Sequence, residues 1–209
     1  GAITRLGKIE EGNTTTDFEP EEIDRRGSIQ IALAPCEWQG VKINVIDTPG
    51  YADFAGEVSS ALAAADCAVI VISAVDGVEV GTELTWRQAE RAGLTRIVVI
   101  NKMDRENADF YRTLEAAQAR LGKTCTPLTL PQGAQHYFKG VTSLLDAGKA
   151  GDDPRFKEFR EKLMEAVAEG LARGERIDLR GFGAFAVRES AARTGRNPQT
   201  GEAIQIAAR

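Results

Sequence analysis

The period of apolar and polar positions changes several times along the chain. Residues 12–27 are polar and charged, with a Thr14-Thr15-Thr16 run and Pro20, which predicts a mobile loop. Residues 29–33 and 41–46 cluster or alternate apolar side chains around Gln39-Gly40, the pattern of a β-hairpin. Residues 57–66 are alanine-rich and predict a helix. The run CAVIVI at 67–72 is apolar and β-branched, as expected of a strand buried on both faces. Residues 79–92 predict a second helix, RIVVI at 96–100 another buried strand, 108–121 a third helix and 127–130 a short strand. Strands alternating with helices imply a parallel α/β sheet.

After GKAGDDP at 148–154 the character changes. This stretch reads as a linker, with Asp153 as a helix N-cap and Pro154 at the first helical position. Phe156, Phe159, Leu163, Val167 and Leu171 then fall at three- and four-residue spacing, an amphipathic helix ending near Gly174. Short strand-like runs with glycines follow. The boundary is placed near Gly151, giving domains 1–150 and 151–209.

Composition adds limits. With 43% hydrophobic and 27% charged residues the chain has the make-up of a soluble globular protein. No apolar run approaches the roughly 18 residues of a membrane span, and the first residues lack the layout of an export signal. Cys36, Cys67 and Cys125 are widely spaced without a C-x-x-C pair, so reduced, buried cysteines in a cytoplasmic protein are expected. The net charge of −5 is uneven: from Arg173 onward seven arginines face four acids, a net of +3, which leaves −8 on the rest. Nucleic acid, if bound, meets the tail.

Asn101-Lys102-Met103-Asp104 directly follows a predicted strand, and open α/β sheets place ligands at the carboxyl ends of their strands. An aspartate there accepts hydrogen bonds from N1 and the exocyclic amine of guanine, which adenine cannot supply. The asparagine can bond the other edge of the base and the lysine stem can lie over the ring. Asp47-Thr48-Pro49-Gly50 also ends a strand, 54 residues upstream. Its aspartate can hold Mg²⁺ through a water and its glycine amide can face a γ-phosphate. The plainer alternative is that both are turns with helix caps. His136 reads as a solvated loop residue, Trp38 and Trp86 as core-packing side chains, and Cys67 as core rather than nucleophile.

GNTTTDFEPEE, DTPGYADFAGEV, SAVDGVEVGTE and VINKMDRENADF together resemble the GTPase domain of elongation factor G and its paralogues, over residues 1 to about 145 including FKGVTSLLD. The resemblance implies a bacterial translational GTPase with a Ras-like α/β fold of the P-loop NTPase type, GTP or GDP and Mg²⁺ as ligands, and the ribosome as partner. The G-x-x-x-x-G-K-[ST] phosphate loop is absent from the 209 residues, and with it the family's first strand and helix. That strand lies, in the resembled sheet, between the strand ending at Asp47 and the strand at 67–72. The expectation is therefore an incomplete Ras-like sheet, open unless 41–46 pairs directly with 67–72. Arg26-Gly27-Ser28-Ile29-Gln30 stands where the family has R-G-I-T-I, and Ile29 offers no oxygen to Mg²⁺. Tyr51 stands where D-T-P-G-H carries the histidine that orients water. No residue is therefore assigned as catalytic, and hydrolysis by this chain alone is not expected.

In the tail, the runs flanking Arg196-Asn197-Pro198-Gln199-Thr200-Gly201 predict a β-ribbon with a turn-rich tip. Arg188, Arg193 and Arg196 suit phosphate contacts or a narrow minor groove, and a proline at the tip suits a wedge between base pairs. A hairpin with a solvated basic face fits the residues equally well. GLARGERIDLRGFGAFAVRESAARTGRNPQTGEAI, however, is similar to the HU and integration-host-factor family, over about 156–206. This implies DNA as partner, Arg196, Asn197 and Pro198 as the arm tip with Pro198 the wedge, and a homodimer through the tail, weakened because the family's first helix and terminal segment have no counterpart here. Residence in the bacterial cytosol and nucleoid, without a membrane, follows from both resemblances.

Three readings stand side by side. One is a translational-GTPase domain that retains guanine recognition but is impaired in binding and hydrolysis, joined to a DNA-binding arm. Another is a non-enzymatic architectural DNA-binding protein. The last is an artificial or misassembled chimera without a unitary function, suggested by the start at Gly1 and by both families being incomplete.

Overall fold

Gln39 and Gly40 both take left-handed backbone angles, with φ of 49° and 76°. Two positive φ values in succession twist a two-residue loop to match its flanking strands, which is why a glycine sits there. The hairpin they close pairs β1 (Ala32–Trp38) with β2 (Val41–Asp47) in antiparallel register, from Trp38 opposite Val41 to Ala32 opposite Asp47. It belongs to a computed structural model that describes residues 7–123, 125–146, 154–175, 177–179, 183–185, 193–196 and 203–206. The chain divides into two compact units: Gly1–Cys125 with Gly133–Phe138, and Thr126–Gln132 with Lys139–Arg209.

In the first unit, the polar stretch before the hairpin is not all loop: Pro20–Arg25 forms the short helix α1. Proline at its first position is preset for a helix, and Glu19 and Glu22 form a reciprocal capping box. After β2 come α2 (Ala55–Ala64), β3 (Cys67–Ser73), α3 (Val80–Arg91), β4 (Thr95–Asn101) and α4 (Phe110–Arg120). Strands β3 and β4 pair in parallel, Cys67 beside Thr95 through Ser73 beside Asn101, with α3 as the crossover.

Ala68, Ile70 and Ile72 form a core with Val78, Ala89 of α3, and Ala117 and Leu121 around the end of α4; Leu62 of α2 and Trp86 pack against it. Burying Ile72 alone stabilises by about 1.5–3 kcal/mol. The expectation that 67–72 is buried on both faces is corrected: Val69, Val71, Ile97 and Val99 are 42–59% exposed. Among the described residues α2, α3 and α4 all supply the opposite face. Cys67 shares the uncovered parity and is exposed, which corrects its assignment to the core. Trp86 packs as expected, with Arg96 stacked 4.2 Å over its ring, whereas Trp38, beside the hairpin turn, is exposed.

Among the described residues β2 pairs only with β1 and β3 only with β4. Direct pairing of 41–46 with 67–72 does not occur, so each strand keeps one unpaired edge.

In the second unit β5 (Thr129–Gln132) and β6 (Gly140–Ser143) pair antiparallel, with Leu130 and Leu144 fully buried. Helix α5 (Phe156–Ala172) buries Phe156, Leu163, Val167 and Gly170. Arg155 is its N-cap and Pro154 lies in the preceding turn, which corrects the predicted start; Asp153 lies outside the described residues. A Cβ on Gly170 would come 2.8 Å from Ile177 Cδ1, so glycine lets β7 (Ile177–Leu179) approach the helix closely. β7 pairs with β8 (Gly183–Phe185), and β9 (Arg193–Arg196) with β10 (Ala203–Ile206), both antiparallel. No helix among the described residues is long and apolar enough to cross a membrane.

Candidate functional site

The end of β4 runs straight into Asn101-Lys102-Met103-Asp104, and the backbone on either side is pinned. The amide of Ala74 donates to the Asn101 carbonyl at 2.8 Å, and the amide of Gln135 donates to the Met103 carbonyl at 2.8 Å. Met103 itself is buried with Ala74 and Ala108, against Val75, Ile100, Phe110, Ala134 and Phe138. Lys102 is thereby held at φ 59°, a left-handed angle that costs a non-glycine residue roughly 1–2 kcal/mol. Such outliers persist where surrounding contacts over-determine them. The side chains of Asn101, Lys102 and Asp104 are exposed and engage no partner among the described residues.

Residues that sequence reasoning passed over tie the start of α4 to the turn after β3. Asp109 caps α4 by accepting from the Arg112 amide at 3.0 Å. The buried Ala74 carbonyl accepts from the Asp109 amide at 3.0 Å and the Thr113 hydroxyl at 3.4 Å. Arg112 reaches the Val75 carbonyl at 2.7 Å. The signal was present as Asp109-x-x-Arg112-Thr113, an N-cap followed by donors in the first turn, but it points only to a cap until the fold shows what the donors meet.

Asp47 closes β2, half-buried opposite Ala32, and Gly50 is exposed beyond the buried Pro49. Asp47 and Asn101 thus end strands of two separate sheets. Tyr51 is 64% exposed, and its ring lies 3.3 Å from where a Cβ on Gly27 would sit. The segment 26–30 is therefore brought against the residue following D-T-P-G. Ile29 presents no oxygen from its side chain, but the neighbouring Ser28 hydroxyl donates to Asp17 at 2.6 Å.

Glu22 organises this segment. It is 2% exposed, and its carboxylate accepts from the amides of Ile29 at 2.9 Å, Gln30 at 3.1 Å and Glu19 at 3.2 Å. Burial by itself pushes the pKa of this group up, but the amides of Ile29, Gln30, Glu19 and Phe18 outweigh it and hold the carboxyl below the ordinary glutamate range. The missed signal was Glu19-Pro20-Glu21-Glu22, a capping box inside a stretch whose polarity resembles loop.

His136 lies exposed in a short 3-10 turn, as expected. Burial pushes the Cys125 thiol up, with Arg96 opposing, which suits an inert side chain. In the tail, Arg193 and Arg196 are the first and last residues of β9, opposite Ile206 and Ala203 of β10. Arg188, Asn197 and Pro198 lie outside the described residues.

A parallel strand pair ending in N-K-M-D and a hairpin ending in D-T-P-G give the front part the layout of a translation-factor GTP-binding domain. The chain belongs to the elongation factor Tu GTP binding domain family, whose model matches residues 1–173. The bacterial DNA-binding protein family matches residues 151–209, so the two matches share α5. Among its relatives, elongation factor G of Gluconobacter oxydans (strain 621H) is 39% identical over 176 residues, covering 81% of this chain and 25% of that protein. Elongation factor G of Thermotoga petrophila is 44% identical over 181 residues, covering 78% and 26%. The crystal structure of ttk003000868 from Thermus thermophilus superposes with a TM-score of 0.72 at 35% identity, over 85% of this chain and 30% of that one. The chain thus spans about a quarter of the length of these curated relatives.

Proposed function

We propose that the front part recognises a guanine base through Asn101, Lys102 and Asp104, while these 209 residues neither hold GTP tightly nor hydrolyse it. The observation that carries this reading is the Lys102 turn: a strained backbone clamped on both sides, with three polar side chains left exposed and unengaged among the described residues. An aspartate beside an asparagine in such a turn can accept the paired donors of guanine and bond its far edge. The sequence holds no G-x-x-x-x-G-K-[ST], whose amides and lysine cradle the phosphates, and Tyr51 stands where the resembled family has its water-orienting histidine.

GTP or GDP is the ligand this reading implies, with the Gly50 amide facing phosphate. Mg²⁺ held by protein alone does not fit the residues: among those described, no three His, Cys, Asp or Glu side chains are grouped to hold a metal. Asp47 would reach the ion only through water, the other ligands coming from phosphate. The ribosome is the proposed partner of this part, in the bacterial cytosol.

The β9–β10 ribbon supports a second activity. We assign DNA binding to residues 151–209, with Arg188, Arg193 and Arg196 on phosphates or in the minor groove and Asn197 and Pro198 at the tip. The join is placed near Gly151, and a homodimer through the tail would present two arms in the nucleoid. Titration of the whole chain with fluorescent GTP, GDP and ADP tests the first activity: weak, guanine-selective binding is expected, and submicromolar GTP affinity or equal binding of both bases overturns the reading. For the second, duplex binding should weaken as salt rises and after Arg193→Ala with Arg196→Ala; unchanged binding refutes it.

A further inference from the structure

We propose that Glu22 is an internal latch that fixes residues 17–31 in one conformation by the chain's own contacts, so that this segment needs no ligand to become ordered. The Glu22 carboxylate gathers three of the links. One oxygen takes the amides of both Ile29 and Gln30, and the other takes that of Glu19. The Glu22 carbonyl also receives the Gly27 amide at 3.1 Å, which closes the turn at Arg26, itself left-handed at φ 56°. Two further ties flank the hub: Ser28 to Asp17 at 2.6 Å, and the Ile31 amide to Glu57 of α2 at 3.3 Å.

The energetics favour a local lock over a decorative contact. A carboxylate that is 2% exposed is tolerated only if its lone pairs are filled. Charge-assisted bonds from backbone amides are roughly twice as strong as neutral ones. Opening the segment would strip several amides at once while Glu22 regained water, so the segment opens as a unit or not at all. The closed form also presents Gly27 to the Tyr51 ring, joining the segment to the end of β2.

Limited trypsin digestion of the full chain reads this directly, because Arg25 and Arg26 are exposed on the latched turn and Arg91 ends α3. In Glu22→Ala, cleavage after Arg25 and Arg26 should accelerate roughly tenfold or more, the loss of about one charge-assisted bond, with cleavage after Arg91 unchanged. Glu22→Gln, which keeps the shape and one acceptor, should fall between. Amide exchange at Ile29 and Gln30 should accelerate in the same order. Equal rates in all three proteins overturn the latch. Uniform acceleration at every site also overturns it, since Glu22 would then support the whole unit and not the segment. Nucleotide is absent from the assay, so failure of the guanine reading would leave this result untouched.

Discussion

The guanidinium of Arg112 donates to the Val75 carbonyl at 2.7 Å, tying the first turn of α4 to the turn that follows β3. Asp109, Thr113 and Ala74 complete the same clamp, and the Ala74 amide passes it on to Asn101. Arg112→Ala should lower stability by about 1 kcal/mol, the low end for a charged donor because the side chain is exposed. A shift of the urea midpoint without change in slope checks this. Arg112→Lys should recover only part, lacking the planar fork.

Asp104→Asn exchanges one carboxylate acceptor for a donor. Guanosine monophosphate binding should fall by roughly tenfold or more, from the loss of a charge-assisted bond, while xanthosine monophosphate, with an oxygen in place of the amine, should gain. Chemical-shift titration of the Lys102 and Met103 amides measures both. Equal loss for the two bases would remove Asp104 from base recognition.

Acid should loosen the segment 17–31 before the strands. The Glu22 carboxyl is held below the ordinary glutamate range when folded, so its contribution is fully present above the unfolded value and is lost as pH falls through the lower folded one. Exchange of the Ile29 and Gln30 amides, followed from neutral pH downward and corrected for intrinsic rates, should show that loss below the usual carboxylate range. Glu22→Gln should flatten the dependence.

Val69, Val71, Ile97 and Val99 form an apolar group on two paired strands with no cover among the described residues. Parallel sheets are ordinarily covered on both faces. The chain should therefore bind a hydrophobic dye and self-associate with rising concentration. Val71→Lys should reduce both, since a charge on an open face discourages contact. Light scattering that does not change with concentration would count against it.

Legibility in the sequence followed how local each signal was. The hairpin, three helices, β3 and β4 were readable because period, β-branching and Gln39-Gly40 act within a few residues. Asn101, Lys102 and Asp104 were readable as a motif, but Ala74, Arg112 and Gln135, which hold their backbone, come from distant segments that only the folded chain gathers. Cys67 was misjudged because an unbroken apolar run cannot say whether both faces are covered; that depends on how many helical layers the chain supplies. Trp38 was misjudged for a related reason, its strand pairing on one side only. Glu22 was hidden by composition: a carboxylate among other acids reads as solvated unless its capping partner is noticed.

The separation of β1–β2 from β3–β4 has a consequence for how the first unit comes apart. Strands that share a ladder exchange their amides together, because opening one bond weakens its neighbours. Among the described residues no ladder bond crosses from β2 to β3, so the hairpin and the parallel pair do not share a hydrogen-bonded sheet. The hairpin's β2 buries no residue along its length, whereas β3 sets Ala68, Ile70 and Ile72 in the core against α3 and α4. Unfolding of this unit should therefore resolve into two steps, the hairpin opening first and β3–β4 persisting to the end.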